Sequence, residues 1–259
     1  MNIKFFWINI DGSDKRKEFM EKQFKKLNID NIRVSAITPK DFPEVLEDKE
    51  PYFCGNHECL ATNKKNCKFE FGCVSSHIKA IKEALKSDGD YFVIIEDDIY
   101  LPFKINFEKI IKEMPNDAEI IQMMILYANS VNALYERVYS QGIKFFKYQK
   151  ILPSTGMYMI TRKGAEKLVK LYYNENTNKY DFTHFNDMKA ADVLLYTSVS
   201  TYVTTFPYCH PNVKLISEIH PDHISNELSA TKAIREVMKK NKNDDYILEN
   251  YLDVEDDIL

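Results

Sequence analysis

The stretch that decides the fold is Tyr91-Phe-Val-Ile-Ile-Glu-Asp-Asp98, in which five apolar or aromatic residues lead into three carboxylates. A short, uninterrupted apolar run is typical of a strand that is buried on both faces of a parallel sheet. In open α/β sheets, ligands bind outside the carboxyl ends of the strands. The stretch therefore predicts a buried strand that delivers Glu96, Asp97 and Asp98 to a binding cleft.

Strand-like and helix-like segments alternate on both sides of this stretch. Short apolar runs predict strands over residues 3–10, 32–37 and 201–206. Apolar residues at helical spacing predict a helix over residues 74–85. This order favours an α/β fold, with a mostly parallel sheet flanked by helices. We expect one domain over residues 1–242.

Residues 39–71 stand apart because they lack any periodic pattern, and they form a cysteine-rich insert. Four of the five cysteines lie here: Cys54, Cys59 and Cys67 within the insert, and Cys73 just beyond it. With His57, these side chains could bind a tetrahedral zinc ion, but no paired C-x2-C motif is present. Disulfides and free thiols remain alternatives.

The balance of charge separates the C-terminal segment from the rest. The chain has 259 residues and a net charge of −4, which argues against a general nucleic-acid binder. Residues 243–259 carry seven of the 39 acidic side chains and no basic one. Interleaved apolar residues there predict a packed segment or a surface for a partner or for oligomerisation. The body through Lys242 is left slightly basic, which suits a diphosphate ligand.

No stretch is apolar enough to predict a transmembrane segment. The N-terminal residues predict a strand rather than a signal peptide, because polar residues follow after a few positions. We therefore expect a cytoplasmic location, with peripheral association with a membrane as an alternative.

Three adjacent carboxylates repel one another, so a compensating cation is expected at the end of the central strand, most simply a divalent metal. Glu96 and Asp98 are two residues apart, and side chains alternate along a strand, so both could contact one ion. The alternative is a solvated acidic turn.

A second group of residues precedes the strand, in Phe71-Gly-Cys-Val-Ser-Ser-His77. Here Gly72 would permit a tight turn, and Ser75 or Ser76 would cap a helix whose N-terminus could bind an anion. His77 would then lie in the first turn. The alternative is a capped helix with a histidine that makes a structural hydrogen bond.

These segments, taken in order, resemble glycosyltransferase family 25, which contains lipopolysaccharide sugar transferases and collagen hydroxylysine glycosyltransferases. The matching blocks are Phe6-Trp-Ile-Asn-Ile-Asp11 with Lys15-Arg16, Gly72-Cys-Val-Ser-Ser-His77, Ile94-Ile-Glu-Asp-Asp98, Ser154-Thr-Gly-Met-Tyr-Met-Ile-Thr-Arg-Lys-Gly-Ala165 and Ala191-Asp192. Several blocks in register are more specific than any one of them.

The resemblance implies a GT-A-like (Rossmann-like) fold, a uridine diphosphate (UDP) sugar as donor and a divalent ion, Mn2+ or Mg2+. By the same resemblance, metal ligands would be Glu96, Asp98 and a late histidine, His220 first and His223 second, with His210 in the same cluster. Donor-binding residues would be Asn9, Asp11, Arg16, Ser76, Lys79 and Asp97. The catalytic base would be Asp192, with Asp187 in reserve.

Together these features predict an inverting transferase that moves a hexose, galactose or glucose, from a UDP-sugar to an acceptor hydroxyl. The acceptor would be a glycan or a collagen-type (galactosyl)hydroxylysine. Two alternatives use the same acidic cluster: another Mn2+- or Mg2+-dependent phosphoryl enzyme, such as a nucleotidyltransferase or phosphatase, and a binding module that has kept the fold but lost activity.

Overall fold

The structure is a computed structural model, which describes residues 3–49, 64–215 and 224–252. Its strands are β1 Lys4–Asn9, β2 Asn31–Ser35, β3 Tyr91–Glu96, β4 Ile99–Tyr100, β5 Phe103–Ile105, β6 Ile120–Gln122, β7 Phe145–Lys147, β8 Met157–Thr161, β9 Tyr173–Asn174, β10 Lys179–Tyr180, β11 Thr201–Thr204, β12 His210–Pro211 and β13 Ile247–Asn250. Its helices are α1 Asp14–Leu27, α2 Phe42–Val45, α3 Lys64–Ala84, α4 Phe107–Glu113, α5 Ala128–Arg137, α6 Arg162–Tyr172, α7 Ala191–Ser198 and α8 Ile224–Lys240, with short 3-10 turns at Pro39–Asp41 and Tyr139–Gln141.

Seven strands form one central sheet in the order β2-β1-β3-β8-β6-β11-β7. Five of them run in one direction, and β8 and β7 run against it. Helices cover both faces, so β3 is buried on each side: Ile94 belongs to one hydrophobic core and Ile95 to the other. The predicted α/β fold, with a mostly parallel sheet flanked by helices, is confirmed.

Helix α3 corrects the prediction for residues 72–77. The helix begins at Lys64, so Gly72, Ser75, Ser76 and His77 lie within it rather than at its start. The expected turn at Gly72, the serine cap and the anion-binding helix N-terminus are therefore wrong. Gly72 instead permits close packing, since a Cβ there would lie 2.8 Å from the carbonyl oxygen of Ile37.

The C-terminal segment packs against the sheet as far as it is described. Strand β13 pairs with β5, and Tyr246 and Leu252 are buried. Asp244 is also buried and accepts hydrogen bonds from Tyr208 Oη at 2.6 Å and Lys144 Nζ at 2.8 Å. Residues 253–259 lie outside the described residues, and oligomerisation through this segment stays a prediction.

Among residues 3–49, 64–215 and 224–252, no helix combines the length and the apolar character that crossing a membrane requires. Cys54, Cys59 and the side chain of Cys67 lie outside the described residues, as do His220 and His223. The two described cysteines, Cys73 and Cys209, are free thiols.

Candidate active site

A cleft of about 130 Å³ opens at the carboxyl ends of β1, β2 and β3. This is the edge of the sheet at which an open α/β fold binds ligands. The cleft has an acidic floor, an apolar wall that follows β2, and a second wall from α3. Its lining includes Asn9, Arg16, Ala36, Ile37, Thr38, Pro39, Phe69, Gly72, Cys73, Ser76, His77, Glu96, Asp97 and Asp98.

Arg16 bridges two of the three carboxylates that follow β3. Its Nη1 atom lies 2.5 Å from Asp97 Oδ1 and 3.1 Å from Asp98 Oδ2, and Asn9 Nδ2 donates to Asp97 Oδ2 at 2.7 Å. Arg16 also donates to the carbonyl oxygen of Leu215 at 3.3 Å. Residues from β1, α1 and β3 are therefore joined in one network.

Asp98 is the least compensated of these carboxylates. Burial and the negative charge of Glu96 raise the pKa of Asp98 to about 7, although the Arg16 guanidinium opposes the shift. Burial also raises the pKa of Asp97. Asp97 and Asp98 offer adjacent carboxylate oxygens to the cleft. Such oxygens suit a hard divalent ion, since Mn2+ and Mg2+ prefer oxygen ligands. The residues present thus fit the metal that the family resemblance implied.

Glu96 makes its hydrogen bonds on the α3 side of the cleft. Its Oε1 atom lies 3.2 Å from His77 Nε2 and accepts a hydrogen bond from Thr155 Oγ1 at 2.7 Å. Burial opposes ionisation of Glu96, but the hydrogen bonds from His77 and Thr155 prevail and lower its pKa. His77 Nδ1 in turn lies 3.2 Å from Tyr158 Oη. The sequence pointed to His77, but not to Thr155 or Tyr158.

Asn9 and Asp11 are held by a residue that the sequence analysis missed. Arg33, on β2, donates to Asn9 Oδ1 at 2.7 Å and to Asp11 Oδ1 at 2.6 Å, and Ser35 Oγ donates to Asp11 Oδ2 at 2.7 Å. These bonds from Ser35 and Arg33 lower the pKa of Asp11. The signal for Arg33 was a single charged residue within a strand-like run.

Ser76 and Lys79 lie beside the cleft but already have backbone partners. Ser76 Oγ accepts from the Ile37 amide at 2.7 Å and donates to the Gly72 carbonyl at 2.6 Å. Lys79 Nζ donates to the carbonyl oxygen of Ser35 at 2.7 Å. These contacts fix α3 to the segment that follows β2, and direct contact with a donor stays a prediction for both residues.

Asp192 lies in the first turn of α7, where its Oδ1 accepts the Val193 amide at 2.8 Å. Burial raises its pKa, and the charge of Glu96 adds to the shift. Asp192 is therefore near the acidic floor, although it does not line the cleft itself.

Asp187 is exposed and paired with Lys150. His210 is buried against Tyr100, where burial lowers its pKa to about 4.

A turn before β8 lies beside two of the carboxylates. Burial raises the pKa of Asp192 and the Ser154 backbone partly offsets that rise, while Thr155 Oγ1 donates to Glu96. Ser154 has a φ of 136°, a left-handed value that is uncommon for a residue with a Cβ. Its carbonyl oxygen accepts Tyr196 Oη at 2.9 Å, which helps to hold the turn in this conformation.

The model of glycosyltransferase family 25 (LPS biosynthesis protein) matches residues 2–184. This match covers most of the chain, which therefore belongs to this family of glycosyltransferases. Two relatives carry the name "Putative glycosyltransferase". One, from Haemophilus influenzae, is 27% identical over 191 residues, which is 70% of this chain and 64% of the relative. The other, R655 from Acanthamoeba polyphaga mimivirus, is 29% identical over 133 residues, 51% of this chain and 39% of the relative.

The matched stretches thus span less than two thirds of the length of these relatives.

Among solved structures, a glycosyltransferase involved in glycosylation of the major capsid of PBCV-1 aligns with 12% identity and a TM-score of 0.38. The alignment covers 87% of this chain and 91% of that structure's chain. HddC from Yersinia pseudotuberculosis, complexed with GMP-PN, aligns with 12% identity and a TM-score of 0.37, covering 90% of this chain and 99% of its own.

Proposed function

We propose that this glycosyltransferase is an inverting, metal-dependent hexosyltransferase that uses a UDP-sugar, with galactose or glucose as the hexose. The observation that carries the proposal is the group of three carboxylates at the end of β3, with Arg16 beside Asp97 and Asp98, at the floor of the cleft in a family 25 chain. The family's description as an LPS biosynthesis protein favours a glycan acceptor over a collagen-type hydroxylysine.

The floor of the cleft provides the groups that a diphosphate donor requires. Asp98 would hold Mn2+ or Mg2+, with Asp97 in the place expected for Glu96, because Glu96 Oε1 is already engaged by His77 and Thr155. The ion, when bound, offsets the negative charge that develops on the diphosphate leaving group. Arg16 is anchored beside both carboxylates, and its planar fork of N–H groups matches diphosphate oxygens. Arg16 would therefore orient the donor and stabilise its leaving group.

The apolar wall offers a surface for the planar base of the nucleotide. Ala36, Ile37 and Pro39 follow β2 directly, and Phe69 adds an apolar side chain on the α3 wall. Asn9 and Asp11, both held by Arg33, stand at the adjoining end of β1. This arrangement supports placing the base along the β2 wall and the diphosphate above the acidic floor.

Asp192 has the chemistry that the acceptor half of the reaction needs. Inversion requires one base to remove the proton from the attacking hydroxyl. The Oδ1 atom of Asp192 accepts the Val193 amide, and its carboxyl pKa is raised by burial, which increases its basicity. Asp192 lies close enough to Glu96 for the charge of Glu96 to add to the effect of burial on its pKa, which supports placing the base beside the acidic floor of the cleft.

The test is a screen of UDP-sugars for slow hydrolysis in the presence of Mn2+, with wild type, Asp98→Ala and Asp117→Ala compared. Asp117 is an exposed carboxylate, paired with Lys147 and hydrogen-bonded to Tyr202, away from the cleft. We expect at least one UDP-sugar to be hydrolysed by wild type and Asp117→Ala but not by Asp98→Ala. If no UDP-sugar is turned over, or if Asp98→Ala retains full activity, the proposal is wrong.

A further inference from the structure

A cysteine, a histidine and a glutamate meet on the α3 side of the cleft. Cys73 and His77 are four residues apart on α3 and so share one face of the helix. Glu96 ends β3 directly opposite. One ligand atom from each residue lies within 4.8 Å of the other two. We propose that Cys73, His77 and Glu96 form a binding site for a soft divalent metal, for which zinc is the best match, and this inference does not rest on the proposed function.

The spacing of the three ligand atoms is close to that of a zinc site. With zinc bonds of 2.0–2.3 Å, neighbouring ligand atoms of a tetrahedral site lie about 3.5 Å apart. The Nε2 atom of His77 and the Oε1 atom of Glu96 are already 3.2 Å apart. The sulfur of Cys73 lies within 4.8 Å of both atoms, so a shift of about 1.3 Å or less would complete the set.

The surroundings orient these ligands as a metal site requires. Tyr158 Oη contacts His77 Nδ1 at 3.2 Å, so that Nε2 faces Glu96, and Thr155 Oγ1 donates to Glu96 Oε1. Histidines that bind metals are usually fixed through the other ring nitrogen in this way. His77 is 1% exposed, and its ring has little freedom to turn away.

This site differs in chemistry from the pair Asp97 and Asp98. That pair offers only carboxylate oxygens, the ligand type that Mn2+ and Mg2+ prefer. A thiolate with an imidazole and a carboxylate favours zinc instead. Binding would release the thiol proton of Cys73, so the thiolate and the Glu96 carboxylate balance the charge of the ion while a neutral imidazole of His77 completes the set.

Three protein ligands leave a fourth position open, as in catalytic zinc sites. Cys73, His77 and Glu96 all line the cleft, so this position faces the space in which a ligand would bind. A metal there could hold water or an oxygen atom of a bound molecule.

The experiment is a titration of the full chain with Co2+, whose bond to a thiolate gives a charge-transfer band in the near ultraviolet. We expect one equivalent to produce the band in wild type, and Cys73→Ala to abolish it. The matched control is Cys209→Ala, a buried thiol near the Met123 carbonyl, which should keep the band. A triple variant with Cys54→Ala, Cys59→Ala and Cys67→Ala should keep it as well.

A second measurement on wild type guards against misfolding of Cys73→Ala. Zn2+ at ten times its Kd should slow alkylation of Cys73 by about tenfold, as read by peptide mass spectrometry, because only the metal-free fraction reacts. Absence of the band in wild type, its survival in Cys73→Ala, its loss in the triple variant, or unchanged alkylation of Cys73 would each overturn the proposal.

Discussion

Asp98→Asn should stabilise the metal-free protein while removing its capacity to bind Mn2+ at the end of β3. The carboxyl of Asp98 has a pKa of about 7 in the folded chain, against 3.8 for an ordinary aspartate, because it is buried beside Glu96. Between these two pH values the folded state retains a proton that the unfolded state has lost. Stability therefore falls as the pH rises through this window, and it is lowest once Asp98 is ionised.

The size of the effect follows from the displacement of the pKa. Each unit corresponds to about 1.4 kcal/mol, so the raised pKa of Asp98 costs about 4 kcal/mol of folding free energy at pH 8, where Asp98 is ionised, and about 2 kcal/mol at pH 5, where it keeps its proton. Asparagine carries no charge at either pH and can still accept a hydrogen bond from Arg16. The gain in stability of Asp98→Asn over wild type should therefore grow by about 2–3 kcal/mol between pH 5 and pH 8.

Urea unfolding followed by tryptophan fluorescence measures this gain, since Trp7 is the single tryptophan and is 1% exposed. The control is Asp117→Asn. Hydrogen bonds from Ser200 and Tyr202 lower the pKa of Asp117 to about 2, so removing this carboxylate should reduce the stability of the folded chain rather than raise it. Mn2+ at 100 times its Kd should add about 2.7 kcal/mol to wild type and far less to Asp98→Asn. A variant that is no more stable than wild type at pH 8 would refute the reasoning.

Three further outcomes are expected. Mn2+ affinity, measured by calorimetry, should fall about tenfold per pH unit below pH 7, because binding displaces the proton of Asp98; a flat profile would contradict this. Asp192→Asn should keep UDP binding but reduce transfer by about 10²-fold or more, whereas unchanged transfer would remove Asp192 from the reaction. Gly72→Ala should lower the free energy of unfolding by about 1–3 kcal/mol, since its Cβ would lie 2.8 Å from the Ile37 carbonyl; equal stability would show that α3 can shift.

The buried strands could be predicted because their apolar runs are continuous and short. Strand β3 begins at Tyr91 and ends at Glu96, so it brings Glu96, Asp97 and Asp98 to one edge of the sheet as expected. The start of α3 could not be predicted in the same way. Its residues 64–71 lack a helical apolar pattern, and Gly72 suggested a break where the structure uses it for close packing against Ile37.

The partners of the acidic residues were harder to predict than the acidic residues themselves. Thr155 contacts Glu96 across 59 positions of sequence, and Arg16 contacts Asp97 across 81. Such pairs follow from the order of strands in the sheet, in which β8 lies beside β3, and not from local spacing. Family blocks supplied Arg16, whereas the roles of Arg33 and Tyr158 emerged only from the folded chain.

The most direct test of the account is calorimetric binding of UDP with and without Mn2+ to wild type, Asp98→Asn and Asp117→Asn. The account predicts that Mn2+ strengthens UDP binding by wild type and by Asp117→Asn at least about tenfold, because the ion joins Asp98 to the diphosphate. It predicts no such gain for Asp98→Asn. Equal UDP affinity with and without Mn2+ in wild type, or an undiminished Mn2+ effect in Asp98→Asn, would contradict a metal-dependent donor site at the end of β3.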